Sequence, residues 1–265
     1  MELQVVTFNV LAPSWVSSKL YPSSCLDDYF HLGRLKKKIQ YIQETLNGAD
    51  IYCLEETQHN ENVVIAQAFP DYDVCAVYHD DNYWTRWKTN ESIFYPNGVA
   101  VAINKNRFKL LKFFDQPLSK SGNHAAIVIC EDRQTSLKIR ISAIHLDTGA
   151  MKFAEISSLV DFLEEEKNQY IDLIAGDFNS NIRSFSILKM AEFLDLSHND
   201  NVSTIPMTSK AVLGSIDHIV IRTRRMTAGG VIMTRSTVHE IGNSCKTVQT
   251  NGSDHYAVEC QFTIS

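Results

Sequence analysis

Residues 171–180 read IDLIAGDFNS, an apolar run that passes directly into a polar turn. The run has the length of a strand and is almost continuously hydrophobic, so it predicts a strand buried on both faces. Asp177 and Asn179 follow it immediately. Because sheet proteins commonly place binding and catalytic groups at the ends of strands, this stretch predicts a strand with chemistry at its tip.

Runs of the same kind recur along the chain and alternate with segments of helical periodicity. Strands are predicted at LQVVTF, DIYCL, DVCAVY, GVAVAIN, AAIVIC, KIRISAIH, SIDHIVI and YAVECQF. Helical spacing joins Leu35, Ile39, Ile42 and Leu46, then Phe153, Ile156, Val160 and Leu163, and finally Ile187, Leu188, Ala191 and Leu194. This order predicts an α/β protein with either two packed sheets and outer helices or one mixed open sheet.

The composition is that of a folded protein with a sizeable core. Hydrophobic residues make up 44% and charged residues 21% of the 265 residues. No low-complexity linker or strong repeat divides the chain, so residues 1–265 are predicted to form one domain. Irregular stretches at about 12–30, 79–97, 115–123, 197–214 and 235–253 are long enough to indicate binding loops.

The charge balance argues against broad attraction to a nucleic-acid duplex, because 31 acidic residues outnumber 25 basic ones and the net charge is −6. Any contact with nucleic acid is therefore expected to be local. Basic groupings are expected to be mostly solvated surface, and they comprise Arg34, Lys36, Lys37, Lys38, Arg222, Arg224 and Arg225.

The cysteines and the N-terminus bear on the compartment. Six cysteines are scattered without the spacing of a zinc site, which favours free thiols in a reducing compartment. The sequence opens with MELQVVTFNV, which lacks a signal-peptide pattern, and it contains no 18-residue apolar run. We therefore expect an intracellular, cytoplasmic protein without membrane insertion, while no pattern indicates an oligomeric state.

Acidic and amide side chains stand at several predicted strand ends. Asn9 ends the first strand, Glu55 and Glu56 end the second, Asp217 lies inside SIDHIVI, and Asp254 precedes the last strand. A single such residue is more often a cap or turn residue, but carboxylates repeatedly placed beside buried strands indicate a cation. Because the donors are oxygens without a thiolate cluster, Mg²⁺ is favoured over zinc, and Mn²⁺ is an acceptable substitute.

Two histidines complete this pattern. His145 follows KIRISAI and His255 follows Asp254, so each is placed to move protons near neutral pH. An isolated histidine at such a place is more often structural. Pairing of Asp217 with His255 favours a functional role for this histidine, because a buried carboxylate fixes the tautomer of an imidazole and raises its basicity.

The chain resembles the endonuclease/exonuclease/phosphatase superfamily. The resemblance is carried in order by TFNVLA, CLEETQ, NGVAVAINKNRF, SAIHLDTG, IAGDFNS, GSIDHI and GSDHYAV, over residues 5 to 258. It implies the fold of pancreatic deoxyribonuclease, a four-layer α/β/β/α sandwich of two packed mixed sheets with outer helices. It also implies a metal-dependent phosphoesterase.

The resemblance further implies roles for individual residues. Glu56 is similar to the principal metal ligand, with Asn9 and Asp254 completing or supporting the site, while one or two metals remain possible. Asp177 would orient or deprotonate the attacking water, and Asn179 would hold that water and the phosphate. His145 would contact the scissile phosphate, and His255, oriented by Asp217, would act on the phosphate or its nucleophile. Glu55 departs from the family, which often has Gln there; it would either alter metal affinity or face solvent.

Finer likeness points toward the poly(A) deadenylase and 2′,5′-phosphodiesterase branch. TFNVLAPSW, the following YPSS and Arg34 are similar to that branch, and GNHAAI resembles its Asn-x-Ala pattern, which would place Asn123 near the phosphate. The short span from His145 to Asp177 departs from it. In YWTRWKTNESIFY, Trp84, Arg86 and Trp87 are expected either to stack bases and grip phosphates or to anchor a long loop.

Three functions follow as alternatives. The first is a 3′ exoribonuclease or 2′,5′-phosphodiesterase acting on single-stranded RNA or a short oligonucleotide, with a DNA-repair nuclease disfavoured by the negative charge. The second is a phosphatase or phosphodiesterase of small molecules or lipid headgroups, although IDHI departs from the inositol-phosphatase pattern. The third is a binding module without activity, which the intact catalytic positions disfavour.

Overall fold

The computed structural model describes residues 1–12, 33–79, 96–165, 169–196, 216–222, 231–238, 253 and 255–264. The helices are α1 (Gly33–Glu44), α2 (His59–Ala68), α3 (Met151–Glu165) and α4 (Ser186–Met190), with a 3₁₀ turn at Ile182–Ser184. The strands are β1 (Glu2–Asn9), β2 (Ile51–Gln58), β3 (Tyr72–Tyr78), β4 (Asn97–Asn104), β5 (Phe108–Pro117), β6 (His124–Asp132), β7 (Lys138–His145), β8 (Ile171–Asp177), β9 (Phe193–Asp195), β10 (Asp217–Arg222), β11 (Val231–Val238) and β12 (Val258–Ile264).

These strands form two six-stranded mixed sheets. Sheet A has the order β11-β12-β1-β2-β4-β3, and sheet B has the order β5-β6-β7-β8-β10-β9. In each sheet the central pair is parallel, β1 with β2 and β7 with β8, while the other neighbours are antiparallel. The prediction of two packed mixed sheets is therefore confirmed, and the mixed open sheet is excluded.

Three apolar clusters make the sandwich a stack of four layers. The largest lies between the two sheets and includes Val5, Val101, Ile141, Leu173 and Phe262. A second cluster packs the outer face of sheet B against α3 and α4, and a third packs the outer face of sheet A against α1 and α2. Strand residues alternate between these clusters because successive side chains point to opposite faces of a sheet.

The sequence pattern misassigned some elements. It missed α2, β5, β9 and β11, and it extended the third helix to Leu194, which lies in β9. That helix ends because Glu192 adopts a left-handed backbone conformation, with a φ of 64°, which a helix cannot continue. Three stretches predicted as irregular also overlap strands, since β4 begins at Asn97, β5 runs to Pro117 and β11 runs to Val238.

Lys38 corrects the prediction that the basic groupings are solvated surface. Its side chain is fully buried, and its Nζ donates to Glu61 Oε1 at 2.8 Å and to the Leu11 carbonyl at 3.4 Å. A buried ammonium needs such a partner, because an unpaired buried charge is strongly destabilising. Lys38 therefore joins α1, α2 and the segment that follows β1. Arg222 is also buried and lies beside Asp172 and Glu164.

Gly176 allows β7 and β8 to come together just before Asp177. Its φ of 150° is rarely adopted by other residues, and a Cβ there would overlap the carbonyl group of Ile144. The glycine of IAGDFNS is thus required by the close approach of two parallel strands. Among the described residues, no helix is long and apolar enough to cross a membrane.

Candidate active site

The alternation of side chains in both sheets brings the predicted site residues into one layer. In β1 the side chain of Val5 points between the sheets, so those of Thr7 and Asn9, two and four residues later, point the same way. In β8 the side chains of Leu173 and Ala175 point between the sheets, and by the same alternation so does that of Asp177. The same alternation carries His145 at the end of β7 and Asp217 at the start of β10 to this layer. The site therefore lies at one end of the layer between the two sheets, and the rest of that layer is the main apolar core.

Glu56 leaves the alternation of β2 through a β-bulge. The pairing of β2 with β4 shifts between Glu55 and Thr57, and Glu56 has a φ of 59°, which is uncommon for a residue with a side chain. Its Oε2 accepts the backbone N–H of Ala12 at 2.9 Å, and its Oε1 accepts Asn9 Nδ2 at 3.0 Å. Strained backbone conformations of this kind concentrate at functional sites.

Asn9 connects the two sheets through its side-chain amide. Its Nδ2 donates to Glu56 Oε1 at 3.0 Å and to Asp177 Oδ2 at 3.1 Å, whereas its Oδ1 accepts the backbone N–H of Leu11 at 2.9 Å. The nitrogen of the amide, not the oxygen, therefore faces the carboxylates. In this arrangement Asn9 supports the carboxylate pair and does not present an oxygen to a metal between them.

Asp177 is a fully buried carboxylate at the centre of the group. Its Oδ1 accepts the backbone N–H of Asn179 at 2.7 Å, while its Oδ2 accepts Asn9 Nδ2. Burial, followed by the negative charge of Asp217, raises the pKa of Asp177 to about 6, although His145 and His255 oppose the shift. A carboxylate with a pKa near neutrality is suited to accept a proton.

His255 is oriented by Asp217, as the sequence pattern predicted. Its Nδ1 lies 3.1 Å from Asp217 Oδ2, and its Nε2 lies 4.0 Å from Asp177 Oδ2. Donation from Nδ1 to the carboxylate leaves Nε2 as the atom that faces the site. Ser253 holds the segment in place, because its Oγ donates to the Asn9 carbonyl at 2.5 Å and accepts the N–H of His255 at 3.2 Å.

His145 faces the same carboxylates from β7. Its Nε2 lies 3.8 Å from Glu56 Oε1 and 3.8 Å from Asp177 Oδ2, too far for hydrogen bonds. The imidazole is therefore equally distant from the two carboxylates and hydrogen-bonded to neither of them. This leaves it available to contact a substrate group near them.

The sequence pattern did not indicate His79, which lies beside His145, or Asn97, whose carbonyl accepts the backbone N–H of His79 at 2.9 Å. The ring centroid of His79 is 6.3 Å from that of His145, and its Nδ1 accepts the N–H of His124 at 3.1 Å, which places the ring proton on Nε2. Burial, together with His145 and His124, lowers the pKa of His79 well below its usual range. Asn97 is buried at the start of β4, and within the described part of the chain neither polar atom of its side chain has a hydrogen-bond partner.

Glu55 is fully buried, so the alternative that it faces solvent is wrong. It points between the sheets, and its Oε1 accepts the Thr7 hydroxyl at 2.7 Å. Burial, followed by the charge of Asp217, raises the pKa of Glu55 well above its usual range. In its protonated form this side chain is a neutral group of the same shape as glutamine.

Asn179 adjoins Asp177 in a left-handed conformation with a φ of 48°. Its Nδ2 donates to the Leu146 carbonyl at 2.7 Å, which links the turn after β8 to the segment after β7. Its own carbonyl accepts Lys152 Nζ at 2.7 Å. Asn179 is thus held on both sides at the rim of the site.

Asn123 belongs to a buried network centred on Glu155 of α3, which the sequence analysis also missed. Glu155 Oε1 accepts Asn123 Nδ2 at 2.9 Å and the Ser121 hydroxyl, and Oε2 accepts the Asp147 N–H at 2.7 Å. One amide proton of Asn123 is therefore committed to Glu155. The signal available in the sequence was an acidic residue on the apolar face of a predicted helix.

The other predicted site residues lie outside the described residues: Asp254, Trp84, Arg86 and Trp87. Distances join Asn9, Glu56, His145, Asp177, Asp217 and His255 into one group, with Asn179 bonded to its edge.

The donor set fits a divalent cation. One nitrogen of Asn9 holds oxygens of both Glu56 and Asp177, and ligand atoms of Asp177, Asp217 and His255 lie within 4.8 Å of one another. Buried carboxylates this close repel one another, and the raised pKa of Asp177 is a sign of that repulsion. A hard cation bound to the carboxylate oxygens would offset it.

Comparison with known proteins identifies the family of the chain. The profile of the Endonuclease/Exonuclease/phosphatase family matches residues 6–255. The chain belongs to the endonuclease/exonuclease/phosphatase family. Members of this family are phosphoesterases and nucleases that typically depend on a divalent metal, so the chain is an enzyme of this class. Against curated protein sequences it has no significant match.

Solved structures of family members share the fold over nearly the whole chain. ANGEL2, described as a 2′,3′-cyclic phosphatase, is 14% identical with a TM-score of 0.77, covering 99% of this chain and 95% of its own. The human Nocturnin catalytic domain is 16% identical with a TM-score of 0.72, covering 100% and 94%. A family protein from Bacteroides thetaiotaomicron is 16% identical with a TM-score of 0.72, covering 100% and 98%.

Proposed function

We propose that this endonuclease/exonuclease/phosphatase protein is a Mg²⁺-dependent phosphodiesterase of single-stranded RNA or oligoadenylate, acting as a 3′ exoribonuclease or a 2′,5′-phosphodiesterase. The observation that carries the proposed chemistry is that Asn9 Nδ2 binds both Glu56 and Asp177 while the Nε2 atoms of two imidazoles lie within 4.0 Å of Asp177 Oδ2. The polymer is supported by the deadenylase-like stretches TFNVLAPSW and GNHAAI. Likeness to ANGEL2, whose structure was also solved with adenosine-2′,3′-vanadate, supports a nucleotide as substrate but does not separate a polymer from a small molecule.

In this proposal Glu56 holds the metal, with Asp254 as a further ligand and Mn²⁺ as an acceptable substitute. A bound divalent ion would stabilise the negative charge that develops on phosphate oxygens during hydrolysis. The carboxylate of Glu56 is prepared for this role, because the Ala12 N–H and Asn9 Nδ2 fix one oxygen each.

The chain's own residues then supply proton transfer and positioning. Asp177 accepts the proton of the attacking water, and Asn179 keeps that carboxylate aligned through its backbone N–H. His145 donates to a phosphate oxygen from its place 3.8 Å from both carboxylates. His255, held by Asp217, presents Nε2 to the reacting phosphate.

A second candidate is a phosphatase of small phosphorylated molecules. It is favoured by likeness to ANGEL2 and to the mannosyl-6-phosphatase Bt3783 of Bacteroides thetaiotaomicron, which is 16% identical with a TM-score of 0.71. The two candidates share the cluster and differ in whether a nucleotide chain is bound.

The deciding experiment is Mg²⁺-dependent turnover of 5′-labelled 3′,5′-linked and 2′,5′-linked oligoadenylates, run beside single-stranded DNA, adenosine 2′,3′-cyclic phosphate and an inositol polyphosphate. We expect stepwise shortening of an oligoadenylate, with the preferred linkage assigning the branch. Release of phosphate only from the small substrates would replace the proposal with the second candidate.

Glu56→Gln and Glu44→Gln make a matched pair of controls. Glu56 lies in the cluster, whereas Glu44 is exposed at the end of α1. We expect Glu56→Gln to abolish measurable turnover and Glu44→Gln to leave it unchanged. Equal activity of the two variants would show that Glu56 is not a metal ligand.

A further inference from the structure

The first turn of α3 forms an exposed shelf beside the catalytic cluster. It consists of Met151, Lys152 and Phe153, and its Lys152 reaches the carbonyl of Asn179. We propose that this shelf, called the α3 shelf, binds the nucleotide next to the scissile phosphate, with its base on Phe153 and its own phosphate on Lys152. The inference rests on the proposed oligonucleotide activity and assigns a substrate subsite to it.

Lys152 is a cation fixed at the edge of the site. Its Nζ donates to the Asn179 carbonyl at 2.7 Å and to the Thr148 carbonyl at 3.1 Å. An ammonium has three donors, so these two bonds fix its direction and leave a third N–H for a phosphate oxygen. Because Asn179 is bonded in turn to Asp177, the ammonium is tied directly to the catalytic turn.

Phe153 supplies the apolar part of the shelf. Phe153 is 47% exposed and Met151 is 41% exposed, although both lie at the start of a helix whose opposite face is buried. The Phe153 ring lies 5.4 Å from the ring of Phe185, which in turn lies 5.7 Å from Phe178, the residue after Asp177. The exposed ring is therefore supported from behind and presents an aromatic surface to solvent at a fixed place.

The combination of charge and position identifies the occupant. An aromatic surface beside a cation is the arrangement that binds single-stranded nucleic acid, because every base has a face that stacks and every nucleotide carries a phosphate. The shelf continues into the cluster through Asn179, so an occupant of the cluster extends onto it. With a net charge of −6, the protein depends on local cations such as Lys152 to hold a polyanion.

The test pairs a change in the protein with a change in the substrate. Wild-type enzyme and Phe153→Ala are assayed in Mg²⁺ on three substrates. The first is triadenylate. The other two are triadenylates that each lack one base, either on the 5′ side or on the 3′ side of the scissile bond. For wild type, we expect removal of one of these bases to lower kcat/KM by about 5- to 150-fold, the effect of one stacked base. Phe153→Ala should show the same loss on intact triadenylate and no additional loss on that abasic chain.

Two further variants separate stacking from folding. Phe153→Leu keeps an apolar contact with Phe185 but removes the aromatic face, so it should lose as much activity as Phe153→Ala while retaining the wild-type melting temperature. Phe113→Ala removes a phenylalanine of similar exposure, 41%, from edge strand β5, which contributes no residue to the cluster, and should match wild type.

The cation is tested by Lys152→Met, which keeps the length of the side chain. We expect a higher KM for triadenylate and a smaller dependence of KM on salt concentration, because one phosphate contact is lost. Lys109→Met on β5 is the matched control and should leave the salt dependence unchanged.

The outcomes distinguish this inference from the function on which it rests. If wild type cleaves no oligonucleotide, the proposed function fails and the subsite fails with it. If wild type cleaves triadenylate but Phe153→Ala and Phe153→Leu do so equally well, the α3 shelf is not a nucleotide subsite and the proposed function stands. Losses by Phe153→Ala that add to those of the abasic chains would also overturn the inference.

Discussion

The two ends of the layer between the sheets are built from the same strands and differ in the side chains that these strands carry. At one end Leu3, Ile139 and Phe262 form part of an apolar core, whereas at the other Asn9, His145 and Asp177 form the cluster. Ala143 and Ala175 lie between the two ends, so the change takes only a few residues. The apolar end stabilises the fold through burial, and the polar end retains close carboxylates that oppose folding and serve the reaction.

The largest effect on activity is expected from Asp177→Asn. The amide keeps an oxygen to accept the Asn179 N–H but cannot accept a proton, so kcat should fall by about 10²- to 10⁴-fold. Single-turnover cleavage of triadenylate measures this loss, and a thermal melt checks that the fold is retained. Asp161→Asn, an exposed change on α3, is the control. A decrease below about fivefold would mean that Asp177 is not the proton acceptor.

The corresponding change at the apolar end should affect stability alone. Phe262 is fully buried between the sheets, so Phe262→Ala is expected to lower the free energy of unfolding by about 3–5 kcal/mol. Urea denaturation measures the change, and activity per folded molecule should stay near that of wild type. A large decrease in kcat at full folding would contradict the separation of the two ends.

A smaller effect on activity is expected at the Glu155 network, which holds Asn123, the residue that the family resemblance places near the phosphate. Glu155→Ala and Asn123→Ala should each raise KM about tenfold, because each removes the hydrogen bond that would hold the Asn123 amide in place beside the substrate phosphate. Since the two side chains act as a pair, the double variant should lose no more than the larger single loss. Additive losses would show that Glu155 does not act through Asn123, and kcat should change less than KM throughout.

The smallest effect on activity is expected at Glu55, which lies between the two ends. Its folded-state pKa is raised, so its contribution to stability is fully present below the unfolded pKa and lost as pH rises through the folded value. Relative to Glu55→Gln, wild type should therefore lose stability as pH rises above about 4.5, the ordinary value. Denaturation midpoints of both proteins between pH 4 and 8 measure this difference.

Turnover at pH 7 provides the second readout for the same change. The glutamine keeps an oxygen for the Thr7 hydroxyl and matches the protonated acid in shape, so kcat/KM is expected to stay within about twofold of wild type. A stability difference that does not vary with pH, or a large loss of activity, would contradict a protonated Glu55.

Much of this arrangement was predictable because strand periodicity is a local property. Apolar runs located most of the strands, and polar residues at their ends located Asn9, Asp177 and Asp217. The exposed edge strand β5 was missed because its pattern, FKLLKFFDQP, has neither strict alternation nor continuous burial. Helix α2 was missed because its apolar residues do not line up on one face.

The residues missed in the site required knowledge of long-range packing. His79 and Asn97 are not distinctive in the sequence, and the pairing of β3 with β4 brings them together. Only His79 is seen to lie beside His145. The bulge at Glu56 could not be read from CLEETQ either, because it depends on the register between β2 and β4.

The hydrogen bond from Asn9 to Asp177 crosses from one sheet to the other, so the assembled cluster is a sensor of how the sheets are docked. In a molten globule, the strands of each sheet can persist while the fixed packing between the sheets is lost. Such a state would keep its far-ultraviolet circular dichroism and lose catalysis. Mild acid or denaturant should therefore abolish the activity of this enzyme before its secondary structure is lost. Turnover is then a more sensitive measure of native packing between the sheets than strand content.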